Sequence, residues 1–281
     1  MKTSEFSWKG EDGLSIVAVE WRPEVAARAV IALVHGVGEH YRRYAGMAAW
    51  YAEKGLATIA FDLPGHGKSG GKRGHSSYAA IGKEIDRLIA EAHARFPGLP
   101  LVLYGHSLGG ALSLNWLLGR ETDVAMAVIG SPGLVPASPV PAAKMFLARV
   151  MARIAPSFTM ANDLDSSGLS RDPEIEKAYL ADPLMHNMIS ARLGLDLIER
   201  GQVIIAEAKK IGLPLLLLQG TADRLVDPAA TARFAEAAGA NVEFRRFEGW
   251  YHELHNEPER EELYRFVYGW IEGRLGKSAK A

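Results

Sequence analysis

An α/β protein with a mostly parallel, doubly wound sheet and a single helical insertion is the fold that this sequence predicts. Short, fully apolar runs alternate with longer stretches of helical spacing. The early runs stop at small or polar residues, His35-Gly36 and Asp62, as strands do where a parallel sheet meets its loops. One stretch, from about Leu134 to Ala206, breaks the alternation.

In chain order, Leu14–Trp21 reads as a strand, and Ala29–Val34 as a buried strand. Ala57–Phe61, Leu101–Tyr104, Val124–Ile129, Leu215–Leu218 and Val242–Phe247 follow. Fully apolar runs of this length suit strands covered on both faces. Helical spacing marks Tyr78–Phe96, Leu108–Leu118, Pro228–Ala238 and Glu257–Leu275. Strand and helix in alternation imply a parallel sheet with helices on both faces. Such sheets bind ligands at the carboxyl ends of their strands. The interrupting stretch has Pro136, Pro139 and Pro141, then an amphipathic run with Met145, Phe146, Val150, Met151 and Ile154. Two Asp-Pro pairs, Asp172-Pro173 and Asp182-Pro183, carry the signature of a helix start: an N-cap, then proline at the first position. The expected organisation is a core of residues 1–133 and 207–281 with a helical cap, or lid, at 134–206.

Composition narrows the function classes. The chain has 281 residues, 48% apolar and 23% charged, and a net charge of −1. A chain of this length can bury roughly 75% of its unfolded surface. The charge balance argues against a nucleic-acid partner, which calls for a basic excess. There is no cysteine, so disulfides, thiolate nucleophiles and thiolate metal sites are excluded. The N-terminus lacks the apolar core of a signal peptide, and no apolar run approaches the ~20 residues that span a bilayer. A soluble, cytoplasmic protein is expected.

The most informative segment is Leu101-Val102-Leu103-Tyr104-Gly105-His106-Ser107-Leu108-Gly109-Gly110-Ala111. It matches G-x-S-x-G between a strand and an apolar helix, the context that this motif requires. The serine must sit on a strained strand-to-helix turn, and Gly105 and Gly109 leave room for it. The plain alternative is a glycine-rich turn with a capping serine; the agreement of strand, motif and helix favours a nucleophile. A serine hydroxyl needs a base, and in this arrangement an acid and a histidine follow in that order. Asp223, just after Leu215–Leu218, is the expected acid. Asp227 competes, but it precedes Pro228 and reads as a helix N-cap. His252 follows the last strand and a small-residue turn and is the expected base; His255 is left as a pocket or structural residue. Two backbone N–H donors must face the developing oxyanion. Leu108, next to the nucleophile, and Val37, in the loop His35-Gly36-Val37-Gly38, are the expected pair.

Two patterns are decoys. Gly65-His66-Gly67-Lys68-Ser69 ends like a P-loop, but the first glycine of that pattern would fall on Asp62. His252-Glu253-Leu254-His255 is one residue short of H-E-x-x-H. Neither a metal nor a cofactor is expected. His40, His66, His75, His93 and His186 read as surface or packing residues.

Several segments together resemble a known family. They are His35-Gly36-Val37-Gly38-Glu39-His40, Phe61 to Gly74, Gly105 to Gly110, Ser131-Pro132, Gly220 to Asp227 and Tyr251-His252-Glu253-Leu254-His255. The resemblance, from about residue 5 to 272, is to the monoacylglycerol lipase and lysophospholipase group of α/β-hydrolases. It implies the α/β-hydrolase fold, a helical cap over an apolar acyl tunnel, and hydrolysis of monoacylglycerols to fatty acid and glycerol through an acyl-enzyme. It implies the triad Ser107, Asp223 and His252 and the oxyanion donors Val37 and Leu108. It also places the glycerol end of the substrate near Glu39, Arg43, Tyr179 and His255. A lysophospholipase or a broad short-chain carboxylesterase would use the same triad, and a ligand receptor on this fold is the non-enzyme alternative. A dehalogenase or epoxide hydrolase would want Asp at position 107. The apolar residues of the cap, Phe146 among them, suit either transient contact with a membrane surface or packing on the core.

Overall fold

The computed structural model of the chain describes residues 1–10 and 12–278, the last three through their backbone alone. Ten strands are defined among the described residues, and eight of them form the main sheet. The chain opens with β1 (Lys2–Lys9), β2 (Ser15–Arg22) and β3 (Ala29–Val34). A 3₁₀ turn at Tyr41–Tyr44 leads into α1 (Ala45–Glu53), then β4 (Leu56–Phe61), α2 (Tyr78–Arg95), β5 (Leu101–His106), α3 (Leu108–Leu117) and β6 (Met126–Gly130). The insertion holds α4 (Ala142–Ile154), β7 (Thr159–Ala161), α5 (Pro173–Ala181), β8 (Met188–Ser190) and α6 (Ala191–Ala206). The chain then returns through β9 (Leu215–Gly220), α7 (Pro228–Ala238), β10 (Val242–Phe247) and α8 (Arg260–Ser278).

The sheet order is β1-β2-β4-β3-β5-β6-β9-β10. The β1·β2 and β2·β4 pairs are antiparallel, and every later pair is parallel. Burial explains the order. All residues of β3, β4, β5, β6 and β9 are buried, which only a central strand with helices on both faces permits. The outer strands β1 and β10 carry exposed charges such as Lys2, Glu5, Glu243 and Arg245, which discourage edge-to-edge association. The alternation of β3 divides the core: Val30, Ala32 and Val34 face the layer of α2, α3 and α7, while Ala29, Ile31 and Leu33 face that of α1 and α8.

The predicted strands and helices are present, mostly within one to three residues of the expected ends. Three departures have local causes. β1 was not expected; only Phe6 and Trp8 interrupt its polar face, and its pairing with β2 supplies the order. Asp172-Pro173 starts α5, with the Asp172 side chain accepting from the Glu174 N–H, but Asp182-Pro183 does not start a helix. Asp182 ends α5 instead. Its carboxylate accepts from the Leu184 N–H at 2.8 Å and pairs with His40 Nε2 at 2.9 Å, which turns the chain toward the core. The insertion also contains the short antiparallel pair β7·β8, which apolar patterning could not reveal because most of its residues are partly exposed.

The insertion sits on the strand ends. The His186 N–H donates to the Gly38 carbonyl at 2.9 Å and the Ser190 N–H to that of Gly74 at 2.8 Å. Within it, α6 meets the segment that follows β6 so closely that a Cβ at Gly201 would lie 1.8 Å from the Leu134 carbonyl oxygen.

Candidate active site

Ser107 stands between β5 and α3 with φ 53° and ψ −121°, a left-handed conformation that costs a non-glycine residue about 1–3 kcal/mol. Its surroundings impose that conformation. The Ser107 N–H donates to Gly130 at 3.0 Å, and its carbonyl accepts from Gly133 at 2.9 Å and Ala111 at 3.0 Å. The flanking glycines are sterically required. A Cβ at Gly109 would fall 2.1 Å from the Val34 carbonyl oxygen, and one at Gly105 2.6 Å from that of Gly109.

The strained turn aims the Ser107 hydroxyl at His252, with Oγ to Nε2 at 2.9 Å. On the other side, His252 Nδ1 meets Asp223 Oδ2 at 2.8 Å. A carboxylate only accepts, so Nδ1 carries the proton and Nε2 is left to accept from the serine. Asp223 is fixed in turn by the Leu225 N–H at 2.8 Å, the Val226 N–H at 3.1 Å and Gln219 Nε2 at 2.9 Å. Burial alone would raise the Asp223 pKa, but His252 and these N–H donors pull it below the usual carboxylate value. Burial alone would lower the His252 pKa, and the Asp223 carboxylate more than offsets it, raising the imidazole above its ordinary value. Asp227 stays outside this row. Its side chain accepts from the Ala229 N–H at 2.9 Å as the N-cap of α7.

Leu108 directly follows Ser107, and Val37 follows Gly36, where an added Cβ would lie 3.1 Å from the Ser107 Cβ. None of the hydrogen bonds among the described residues uses either N–H. Leu108 is the first residue of α3, where four N–H groups point out of the helix end. The loop carrying Val37 is pinned by His35, whose Nδ1 donates to the Gly36 carbonyl at 2.7 Å while Nε2 accepts from the Leu63 N–H at 2.9 Å. Burial pushes the His35 pKa well down, so it serves as a neutral strut.

Glu39, Arg43, Tyr179 and His255 come together beside this loop. Glu39 Oε1 accepts from the Gly36 N–H at 2.5 Å and the Tyr44 hydroxyl at 2.7 Å, and Oε2 pairs with Arg43 at 3.1 Å. Arg43 lies 5.7 Å from the Tyr179 ring, which reaches in from α5. His255 stacks on Tyr44 with ring centroids 4.5 Å apart, and its buried Nε2 has no partner among the described residues. Two members of this group were not singled out from the sequence. Glu253 grips Arg43 with both oxygens, and the His106 ring lies 4.9 Å from His252 and 4.8 Å from His255. The position of His106 inside the G-x-S-x-G box was the available signal for it. Burial pushes the His106 pKa far down and that of His255 down to about 4, so both are neutral near pH 7. The Gly65–Ser69 loop is a rim element organised by Asp62, which accepts from the Tyr41 N–H at 2.9 Å and the Lys68 N–H at 2.7 Å.

The family described as serine aminopeptidase, S33, matches residues 25–259. A monoacylglycerol lipase of Mycolicibacterium smegmatis is 33% identical over 275 residues, covering 97% of this chain and 98% of that protein. The chain belongs to the monoacylglycerol lipase family of α/β-hydrolases. The crystal structure of a Paleococcus ferrophilus monoacylglycerol lipase superposes with a TM-score of 0.85 at 36% identity, covering 92% of this chain and 99% of that one. A phospholipase of Bacillus subtilis is 30% identical over 241 residues, 84% of this chain and 92% of its own length. The chain spans only 27% of a further relative, an abhydrolase domain-containing protein of Dictyostelium discoideum, at 33% identity. Like other members of this family, the chain is a serine ester hydrolase.

Proposed function

We propose that this hydrolase cleaves monoacylglycerols through an acyl-enzyme on Ser107. The observation that carries the reading is the hydrogen-bonded row Ser107–His252–Asp223 beside two uncommitted backbone N–H groups. Ser107 Oγ attacks the ester carbonyl as its proton passes to His252 Nε2. The N–H groups of Val37 and Leu108 receive the charge that develops on the carbonyl oxygen. His252 returns the proton to the glycerol oxygen as it leaves. Water then attacks the acyl-enzyme with His252 again as base, and fatty acid departs. Asp223 holds the tautomer and steadies the imidazolium.

The glycerol end is read onto His255, Arg43 and Tyr179, with Glu39 behind them. His255 Nε2 is buried without a partner, which suits a substrate hydroxyl, since an unpartnered buried polar atom costs about 1–3 kcal/mol. Residues 134–206 act as the cap. Phe146, Leu147, Val150 and Ile154 on α4 are exposed, and the cap meets a lipid surface through them. No helix among the described residues is long and apolar enough to cross a membrane. The lysophospholipase reading is supported by the likeness to the Bacillus phospholipase and needs only a different polar head at the same pocket.

A fluorophosphonate should label Ser107, and Ser107→Ala should abolish both labelling and turnover. A substrate panel then separates the readings. kcat/KM should favour monoacylglycerols over diacylglycerols, lysophospholipids and nitrophenyl esters of equal acyl length. His255→Ala and Glu39→Ala should narrow the preference of monoglyceride over nitrophenyl ester. An unchanged ratio in both variants refutes the head-group assignment, and a higher rate on lysophospholipids selects the second reading.

A further inference from the structure

We propose that Glu253 is a positioning residue: through Arg43 and Glu39 it ties the loop of the base His252 to the loop that carries the Val37 N–H. The proposal rests on the ester-hydrolase reading and adds to it how the two halves of the site keep their spacing. Glu253 directly follows His252, and its side chain is 3% exposed. Both its oxygens hold the Arg43 guanidinium, NH2 to Oε2 at 2.8 Å and NH1 to Oε1. The same NH1 reaches Glu39 Oε2 at 3.1 Å, and Glu39 Oε1 holds the Gly36 N–H at 2.5 Å. Gly36 precedes Val37. A continuous path thus runs from the base to the oxyanion donor without touching Ser107.

Three charged side chains, none more than 11% exposed, make up the link. Stability alone does not call for them, because apolar residues of similar volume generally serve a buried ion cluster's place equally well. What the cluster provides is geometry. A planar guanidinium binds carboxylates in a fixed fork, whereas packed hydrocarbon slides. The reacting carbon must sit between His252 and the two N–H donors, and small errors in that spacing are costly to the rate. Other contacts keep Glu253 itself in place: Asn256 Nδ2 donates to Oε2 at 2.8 Å, and the Glu253 N–H donates to the Leu169 carbonyl of the cap at 2.7 Å.

The charged and titratable groups facing His252 are the Asp223, Glu253 and Glu39 carboxylates and the His106 and His255 rings. Glu253→Gln removes one negative charge from this shell and weakens the fork on Arg43. kcat should fall about 10- to 100-fold, as expected for displaced reacting groups, and equally for a monoglyceride and a nitrophenyl ester. KM should change less than about twofold for each, as when an interaction made only in the transition state is lost. The acid limb of the kcat/KM profile should move to lower pH, because a carboxylate that raised the His252 pKa is gone. Glu253→Asp should restore part of the rate. Arg43→Lys keeps a charge in the same cavity but loses the fork, so kcat should fall on the nitrophenyl ester too, which has no glycerol head to lose, and it serves if Glu253→Gln does not fold. A folded variant with unchanged kcat, or a lower melting temperature with an unmoved pH limb, would overturn the proposal. Loss confined to the monoglyceride would assign the residue to the head-group pocket. Failure of the ester-hydrolase reading itself would appear instead in the wild-type protein, as no turnover of either ester.

Discussion

Around Ser107 the molecule buries charge, whereas on α4 of the insertion it exposes hydrocarbon. Asp223, Glu39 and Glu253 are each at most 6% exposed and held by N–H donors, Leu225 and Gly36 close by in the chain and Arg43 210 residues away. Phe146 and Ile154 on the cap are 70% and 72% exposed, and the nearby ion pairs Lys144–Asp163 and Arg149–Glu199 lie in solvent. Buried charge fixes positions, because each group left without its partner is heavily penalised. Exposed apolar side chains fix little and are free to meet a varied partner. The contrast separates a site whose geometry buried charge fixes from an insertion whose apolar surface is free to meet a partner.

The largest expected effect lies on the core side. Asp223→Asn should lower turnover by about 10⁴ through loss of the His252 tautomer, with the fold intact by circular dichroism. Asp227→Asn, a change at a helix cap, should cost about 1 kcal/mol of stability or less and leave turnover close to wild type. If Asp227→Asn is the damaging change, the row built around Asp223 is not the one that acts.

Stability should follow the same division. Leu217→Ala empties a fully buried site in the central strand β9 and should cost about 2–5 kcal/mol in a denaturant titration. Leu180→Ala, at a cap residue 71% exposed, should stay within about 0.5 kcal/mol. Equal losses would mean that the cap is as tightly packed as the core.

The pH response sharpens the electrostatic side. The base works only when neutral, so activity is lost as pH falls through the His252 pKa. Burial lowers that pKa but Asp223 raises it by more, so the acid limb on a soluble ester should have its midpoint above the ordinary imidazole value of 6.5. A midpoint below it would mean that burial outweighs the carboxylate.

The same contrast governs what the sequence discloses. The central strands are legible because burial on both faces demands unbroken apolar runs, as in Leu215–Leu218. The catalytic candidates are legible because motif and chain order name Ser107, then Asp223, then His252. α1 is hidden because its apolar residues, from Met47 to Ala52, show no clear helical face. The Arg43–Glu253 pair is hidden because its partners stand 210 residues apart, and no local spacing announces an ion pair made by loops that the sheet brings together. The turn at Asp182 was misread because its partner, His40, stands 142 residues earlier in the chain.

The smallest expected effect on chemistry, and the clearest test of the cap, is Phe146→Asp. Its ring is 70% exposed, so little packing is lost and the melting temperature should hardly move. Burying a phenylalanine side chain in lipid is worth about 1.5–3 kcal/mol. Binding to phosphatidylcholine vesicles should therefore weaken by tenfold or more in a flotation or sedimentation assay. Hydrolysis of a soluble short-chain nitrophenyl ester should remain within about twofold of wild type, because the row at Ser107 is untouched and the charged clamp beneath it does not reach α4. Equal loss on vesicles and on the soluble ester would make Phe146 part of the cap's packing on the core, and exposed hydrocarbon would then no longer separate the two regions.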